Sequence, residues 1–189
     1  ISNAAQFRKR MASETIFNVL QAQKSTLPQI DVVSIVADDG QVINFSRSFP
    51  APLINLSDRD YFKALLENPN LGDFISKPVR NKGNGKWVFY LSRRLNDSQG
   101  NFIGMVLVGI SVDMFTNFFE RIGTNLGEGS SISLYRRDFM LMARWPYKDN
   151  LIGKINTTGT TYNVIEQLKR SHDVIFSDSP RFAADYQEQ

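Results

Sequence analysis

The chain has 189 residues, of which 42% are hydrophobic and 22% charged, and its formal net charge is +3. This length fits one sizeable domain or two small ones, and the composition is that of a folded protein, which excludes a disordered chain. The basic residues are spread along the sequence, so it lacks the concentrated basic face of a nucleic-acid-binding protein. The chain has no cysteine, which excludes disulfides and thiolate zinc sites.

No stretch of the sequence resembles a membrane span or a signal peptide. A spanning helix needs roughly 18 apolar residues, and residues 1–10 lack the apolar core of a signal peptide. Because the sequence opens without Met and closes on a polar run, we expect it to be a piece of a longer protein. The membrane helices of that parent protein would then flank this piece.

The first predicted element is one long helix from Asn3 to about Leu27, ended by the proline that follows. The segment holds no Gly or Pro, and its apolar residues recur at helical spacing. Phe7, Met11 and Ile16 form an apolar seam, as expected of a packed helix or of a helix that continues from a membrane span. We interpret residues 1–28 as a signalling and dimerisation helix.

An antiparallel meander with short helices follows. The strongest signal is a long hairpin of Lys86–Leu95 and Phe102–Val112, two β-branched and aromatic runs joined by a polar loop that ends in Gly100. The other predicted strands are Val32–Ala37, Val42–Phe45, the region of Phe74 and Ile75, Ile132–Tyr135, Met140–Ala143 and Val174–Phe176. The predicted helices are Tyr61–Glu67, capped by Ser57 or Asp58, then Asp113–Ile122 and Thr161–Ser171.

This succession predicts an α+β fold with helices packed against an antiparallel sheet. Gly104 and Gly109 lie within the second strand of the long hairpin. Glycine inside a strand indicates close approach by another element, so we expect a helix or a ligand at these positions.

The sequence lacks the usual catalytic and metal-binding patterns. The chain has a single histidine, His172, and no Gly-x-Ser-x-Gly elbow, so a serine triad has no support. It also has no phosphate-binding loop, dinucleotide fingerprint or calcium loop. We therefore expect that this fragment is not an enzyme and that it needs no metal or other cofactor.

The most informative segment is Leu56–Phe62, which reads Leu-Ser-Asp-Arg-Asp-Tyr-Phe. At the first turn of a helix, free backbone N–H groups and the guanidinium of Arg59 can together receive an anion. Tyr61 and Phe62 would add flat apolar walls and one hydroxyl, which suits a small, partly polar ligand. The spacing fits equally well a surface ion pair of Arg59 with a neighbouring aspartate and a Phe62 that fills the core.

Several short motifs extend this segment in a fixed order along the chain. They are Asp58-Arg59-x-Tyr61-Phe62, Ile75-Ser76-Lys77-Pro78-Val79, Leu91-Ser92-Arg93-Arg94-Leu95, Gly100-x-Phe102-x-Gly104 and the segment Leu134–Pro146. Each is weak alone, but together they resemble the double Cache sensor domains, also described as PAS-like periplasmic domains.

The resemblance implies a membrane-distal, PAS-like ligand-binding module at 29–126, and a second, smaller and incomplete PAS-like module at 127–189. It implies a periplasmic location between two membrane spans, with output to a cytoplasmic domain such as a diguanylate cyclase or a histidine kinase. By position, six residues carry over to the ligand site: Arg59, Tyr61 and Phe62, with Lys77, Tyr90 and Ser92 as additions. Strand alternation puts Tyr90 and Ser92 on one face and leaves open which face meets the ligand.

Two positions depart from the family pattern. Members that bind amino acids carry an aspartate on the last long strand, where this chain has Gly109, and the family's Trp-Tyr pair is Tyr61-Phe62 here. A buried ammonium without a carboxylate partner is costly. The sequence therefore favours a carboxylate or another small anion, received by Arg59 and Lys77, over an α-amino acid.

A second hypothesis is a ligand-free dimerisation spacer that holds two membrane helices in register. In both hypotheses the N-terminal helix would form a homodimer. A cavity beside Arg59 would favour the sensor, whereas a sheet packed solid against its helices would favour the spacer.

Overall fold

The computed structural model describes residues 3–81, 85–127 and 129–174. Its contacts divide the chain into two compact units, the first ending at Phe115 and the second beginning at Thr116. The predicted module limits, 1–28, 29–126 and 127–189, stay predictions. Within the described residues, no helix is both long enough and apolar enough to cross a membrane.

The elements confirm an α+β fold with an antiparallel sheet and flanking helices. In chain order they are α1 (Ala4–Met11), α2 (Glu14–Thr26), β1 (Ile30–Ala37), β2 (Val42–Phe45), α3 (Asp60–Glu67), β3 (Asp73–Ile75), β4 (Val79–Arg80), β5 (Trp87–Asn96), β6 (Phe102–Ser111), α4 (Val112–Gly123), β7 (Ile132–Tyr135), β8 (Leu141–Trp145), a 3-10 turn (Asp149–Leu151), α5 (Thr160–Tyr162) and a π-helical turn (Asn163–Gln167).

The prediction of one long N-terminal helix is wrong, because the helix is broken at Ala12 and Ser13. Ser13 has an extended backbone (φ −79, ψ 154) and its hydroxyl donates to the carbonyl of Arg10 at 2.9 Å. From β2, the buried Asn44 side chain donates to the carbonyls of Met11 and Ser13 at 2.7 and 3.0 Å. These side-chain bonds satisfy carbonyls at the break, so a strand residue far away in sequence fixes a kink that local periodicity does not reveal.

The first unit contains a six-stranded antiparallel sheet in the order β2-β1-β6-β5-β3, with β4 also paired to β5. The predicted long hairpin is confirmed, since β5 and β6 pair from Val88 with Ser111 to Asn96 with Phe102. β1 pairs with β6 through a bulge at Asp31, the residue between the two registered positions Ile30 and Val32.

One face of this sheet, called here the α1–α2 face, is closed by the two N-terminal helices. Its buried centre is Phe7 with Ile35 and Ile103, and Met11 and Ile16 pack against that centre. The predicted apolar seam of the N-terminal helix is therefore used within the chain and not on a second copy. A homodimer through these helices would need their outward surface and stays a prediction.

The opposite face, called here the α3 face, is covered by helix α3. Its apolar part is a buried cluster made by Val36, Val42, Tyr61, Phe62, Leu65, Met105 and Leu107. Tyr90 of β5 is half-buried and packs against this cluster. Three residues of the predicted site, Tyr61, Phe62 and Tyr90, therefore lie on this face.

The second unit includes the two-stranded antiparallel sheet β7-β8, which confirms the second predicted hairpin. The predicted helix Thr161–Ser171 is found in a shorter form, since Thr160–Tyr162 is α-helical and Asn163–Gln167 continues it as a wider π-helical turn. Leu168 N–H bonds to the carbonyl of Asn163, and Lys169 follows with a positive φ of 53, which ends the helix. Most of the predicted strand Val174–Phe176 lies outside the described residues.

Candidate functional site

Helix α3 places two consecutive aromatic residues against the sheet. Tyr61, Phe62 and Leu65 lie on its inner side and are 4%, 3% and 0% exposed. Arg59 occupies the N-cap position with extended backbone and makes no capping bond with its side chain, so the predicted caps Ser57 and Asp58 are wrong. The guanidinium of Arg59 thus stands at the start of the helix, next to a buried tyrosine.

Tyr90 of β5 meets Tyr61 on the α3 face, with ring centroids 5.6 Å apart. The Tyr90 ring lies over Gly109 of β6, since a Cβ built there would be 3.1 Å from Tyr90 Cε1 and 2.7 Å from Val32 Cγ1. The close approach at Gly109 therefore comes from side chains of the neighbouring strands, and not from the helix or ligand that was predicted there. The strand face that carries Tyr90 is the face that meets α3.

The two tyrosine hydroxyls share one electrostatic environment. Burial raises the pKa of Tyr61 and the pKa of Tyr90, and the positive charge of Arg59 acts in the opposite direction on both. Within the described parts of the chain, no hydrogen bond joins either hydroxyl to another group, and neither hydroxyl oxygen is fully buried, so both are open to a solvent molecule or a ligand. Arg59 has only a loose ion pair, with its Nε 3.6 Å from Asp58 Oδ1. The two tyrosine hydroxyls and the Arg59 guanidinium can therefore form hydrogen bonds with a polar ligand.

The other predicted site residues are placed differently. Phe62 meets Phe102 edge to face at 5.6 Å inside the apolar cluster. Ser92 is buried on the same face of β5 as Tyr90, but its hydroxyl donates to the Phe74 carbonyl of β3 at 3.3 Å. Lys77 is exposed. The structure thus brings together Arg59, Tyr61 and Tyr90, and their contact with a ligand stays a prediction.

The carboxylate of Asp31, whose charge acts on Tyr90, was not among the residues predicted from the sequence. Asp31, at the β1 bulge, forms an ion pair with Arg47 and accepts from Asn81 Nδ2 at 3.3 Å. The charge of Asp31 also raises the pKa of Tyr90, after burial, while that of Arg47 lowers it. The only local signal was a carboxylate at the start of an apolar strand, and the partners lie 16 and 50 positions away.

No metal centre is visible, since the residues described here hold no group of three or more His, Asp and Glu side chains arranged to bind an ion. His172 is exposed and has only the adjacent Ser171 hydroxyl at 3.1 Å from its Nδ1.

Three solved structures show what this fold is similar to. The extracellular domain of rpHK1S-Z16, described as a histidine kinase, is 30% identical with a TM-score of 0.69, and the match covers 84% of this chain and 66% of that one. An extracellular ligand-binding receptor from Desulfohalobium retbaense is 17% identical with a TM-score of 0.59, covering 89% of this chain and 30% of that one. The ligand-binding domain of the Pseudomonas fluorescens chemoreceptor CtaA, solved with L-serine, is 15% identical with a TM-score of 0.57, covering 79% and 63%.

This chain spans just under two thirds of the rpHK1S-Z16 domain and less of the other two. No family model and no curated protein sequence matches it. The structural neighbours are sensor domains outside the cytoplasm, which confirms the predicted extracytoplasmic location. The resemblance drawn from the sequence motifs is confirmed as well, and this chain has the fold of the Cache-like extracytoplasmic sensor domains.

Proposed function

We propose that this chain binds a small molecule with a carboxylate or another anionic group on the α3 face, and passes the binding event across the membrane to a cytoplasmic output domain. The observation that carries the proposal is the pair of hydroxyls of Tyr61 and Tyr90, which bond to no described residue, are not fully buried and lie near Arg59. An anion there would accept hydrogen bonds from both hydroxyls and from the guanidinium.

The proposed ligand differs from the L-serine seen in CtaA. A zwitterion needs a carboxylate for its ammonium group, and the position where amino-acid-binding relatives carry one is Gly109, covered by the Tyr90 ring. Asp31 is the carboxylate whose charge raises the pKa of Tyr90, and it is already bonded to Arg47 and Asn81. The charges of this face therefore favour an anion over an amino acid.

The output domain would be a histidine kinase or a diguanylate cyclase. The rpHK1S-Z16 neighbour supports the first of these. Ligand binding against α3 would shift the equilibrium between two arrangements of the helices that lead to the membrane. The size of the shift is set by the difference in the ligand's affinity for the two arrangements.

A thermal-shift screen with small carboxylates, inorganic phosphate and amino acids tests the proposal. A bound ligand at one hundred times its dissociation constant adds about 2.7 kcal/mol to the free energy of unfolding. The substitution Arg59→Ala should abolish the shift, whereas Arg93→Ala, which changes an exposed arginine on the opposite face of β5, should leave it intact.

A screen in which no small anion stabilises the chain would contradict the proposal and favour the ligand-free spacer. Stabilisation by amino acids alone would contradict its anionic part and leave the sensor role standing.

A further inference from the structure

Arg47 and Asp31 form an ion pair in which the arginine is held but not saturated. Arg47 Nη2 contacts Asp31 Oδ2, and Arg47 Nε donates to the backbone carbonyl of the same aspartate at 3.4 Å. A guanidinium has five N–H donors. Within the described residues the Nη1 group has no partner, and the side chain of Arg47 is 33% exposed. Arg47 is thus held by Asp31, and its Nη1 group can still donate hydrogen bonds.

Asp31 of this pair lies level with Tyr90 in the sheet, because Val32 pairs with Gly109 of β6 and Gly109 pairs with Tyr90 of β5. Asp31 precedes Val32, whose Cγ1 is 2.7 Å from the Cβ position of Gly109, the residue beneath the Tyr90 ring. Asn81 follows β4, on the far side of β5, yet its amide reaches Asp31 on β1 at 3.3 Å. Since β5 and β6 lie between those strands, this contact crosses over both of them.

Two guanidinium groups from different elements act on Tyr90 through their charge. Arg59 comes from the start of α3 and Arg47 from the segment after β2, and the charge of each lowers the pKa of the Tyr90 hydroxyl against the effect of burial. Asp31 accepts from two donors, so it acts to position Arg47 more readily than to receive an ammonium group.

We propose that Arg47 is a second anion subsite, positioned by Asp31, and that the preferred ligand carries two anionic groups, as a short dicarboxylate does. The inference rests on the proposed function and deepens it, with Arg59 receiving one carboxylate and Arg47 the other. A surface ion pair with no such role contributes little to stability and would leave ligand affinity unchanged when Arg47 is replaced.

Calorimetry on the chain with matched ligand pairs tests this. Succinate and glutarate are the dianionic probes, propionate and butyrate carry one carboxylate at similar length, and L-serine is the zwitterion. A charged hydrogen-bonded contact corresponds to about a tenfold change in affinity. We expect the dicarboxylates to bind at least about tenfold more tightly than the monocarboxylates, and Arg47→Gln to remove that preference without weakening monocarboxylates.

Two further variants separate positioning from folding. Asp31→Asn, which keeps the shape of the side chain, should weaken dicarboxylate binding and leave monocarboxylate binding unchanged, and Arg47→Lys should restore part of the preference by returning the charge without the planar fork. Arg93→Gln is the matched control and should change neither affinity. Circular dichroism shows whether each variant is folded.

The outcomes are distinct. If monocarboxylates bind through Arg59 and Arg47→Gln changes nothing, the second subsite is wrong and the proposed function stands. If L-serine binds best and Asp31→Asn abolishes it, Asp31 receives an ammonium group and the dianion inference is wrong. If no carboxylate binds at all, both the inference and the proposed function fail.

Discussion

The two faces of the six-stranded sheet use the same strands differently. On the α1–α2 face, Phe7 and its aliphatic neighbours are closely packed, and the buried polar group Asn44 is bonded through both ends of its amide. On the α3 face, an apolar cluster around Leu65 gives way to the hydroxyls of Tyr61 and Tyr90, which bond to nothing in the described chain. Both faces are thus packed with apolar side chains, and the α3 face also presents two hydroxyls without a bonded partner in the described chain, which a ligand can satisfy.

The largest effect is expected from emptying the centre of the α1–α2 face. Phe7 is 1% exposed and contacts Ile35 and Ile103. Phe7→Ala should lower the free energy of unfolding by about 3–5 kcal/mol, because the cavity cannot collapse beneath a helix tied to the sheet. Urea denaturation measures the loss. Val19→Ala, at an exposed position of α2, should change it by less than about 0.5 kcal/mol. A loss below about 1 kcal/mol for Phe7→Ala would mean that Phe7 does not fill a closed core on this face.

Alanine substitutions at two glycines of β6 allow the packing of the two faces to be compared. A Cβ on Gly104 would lie 2.3 Å from the Val36 carbonyl oxygen, and its φ of 146 is strained for other residues, whereas a Cβ on Gly109 meets only side chains. Gly104→Ala should therefore cost about 3 kcal/mol or more, and Gly109→Ala about 1–2 kcal/mol with a displaced Tyr90 ring. Denaturation gives the order, and near-UV circular dichroism reports the ring. The reverse order of costs would contradict the comparison.

Asn44 joins the kink of the N-terminal helices to the sheet. Asn44→Ala would leave the carbonyls of Met11 and Ser13 without this donor, at a cost of about 1–3 kcal/mol. Relative to wild type, Asn44→Ala should accelerate amide hydrogen exchange more in α1 and α2 than in β5 and β6. The exposed Asn18→Ala in α2 is the matched control, and equal exchange in both variants would mean that the kink is held by other contacts.

The sequence predicted the strands of this fold better than it predicted the break in the N-terminal helix. The long hairpin was evident because β-branched and aromatic residues dominate both strands and Gly100 closes the loop. The helix break was not, because its cause, Asn44, is on a strand 31 positions from Ser13. Local periodicity records only what neighbouring residues do.

The site shows the same limit. Arg59 and Tyr61 were found together because they share one short segment with the start of a helix, and Tyr90 was found through the resemblance. Arg47 and Asp31 were not among the predicted residues, because a bulge in β1 and a loop after β2 bring the two together and no motif marks either feature. Residues joined only by tertiary structure leave no pattern of spacing to detect.

A smaller effect is expected from the unpaired hydroxyl of Tyr61. Tyr61→Phe removes a group that bonds to no described residue, so near neutral pH the free energy of unfolding should change by less than about 1 kcal/mol. Because burial raises its pKa in the folded state, the unfolded chain loses this proton first, and wild-type stability falls as pH rises above about 10. The variant should lose less stability than wild type between about pH 9 and pH 11. If the free energies of unfolding of wild type and Tyr61→Phe fall in parallel at alkaline pH, the Tyr61 hydroxyl is solvated.

The smallest effect is expected at the surface end of the α1–α2 face. Arg8 Nη2 lies 2.5 Å from Asp38 Oδ1 and 2.8 Å from Asp39 Oδ1, and its hydrogen bond lowers the pKa of Asp39. A carboxylate with a lowered pKa stabilises the fold above about pH 4, and the contribution is lost as pH falls through the lowered value. The pair is partly exposed, so Arg8→Gln should cost less than about 1 kcal/mol at neutral pH and flatten the acid limb.

The test of this last contribution is its dependence on salt. At about 1 M salt the screening length falls to about 3 Å, so the difference between wild type and Arg8→Gln should shrink. Arg10→Gln, at an exposed position of the same helix, is the control without these aspartates. Because Asn55 Nδ2 donates to the Asp39 carbonyl at 3.0 Å and Asn55 Oδ1 accepts from Ser57 N–H, the turn that Arg8 contacts is also bonded to the segment that leads to Arg59. A difference that persists in high salt would show that Arg8 supports this turn by packing and hydrogen bonding, and not by charge.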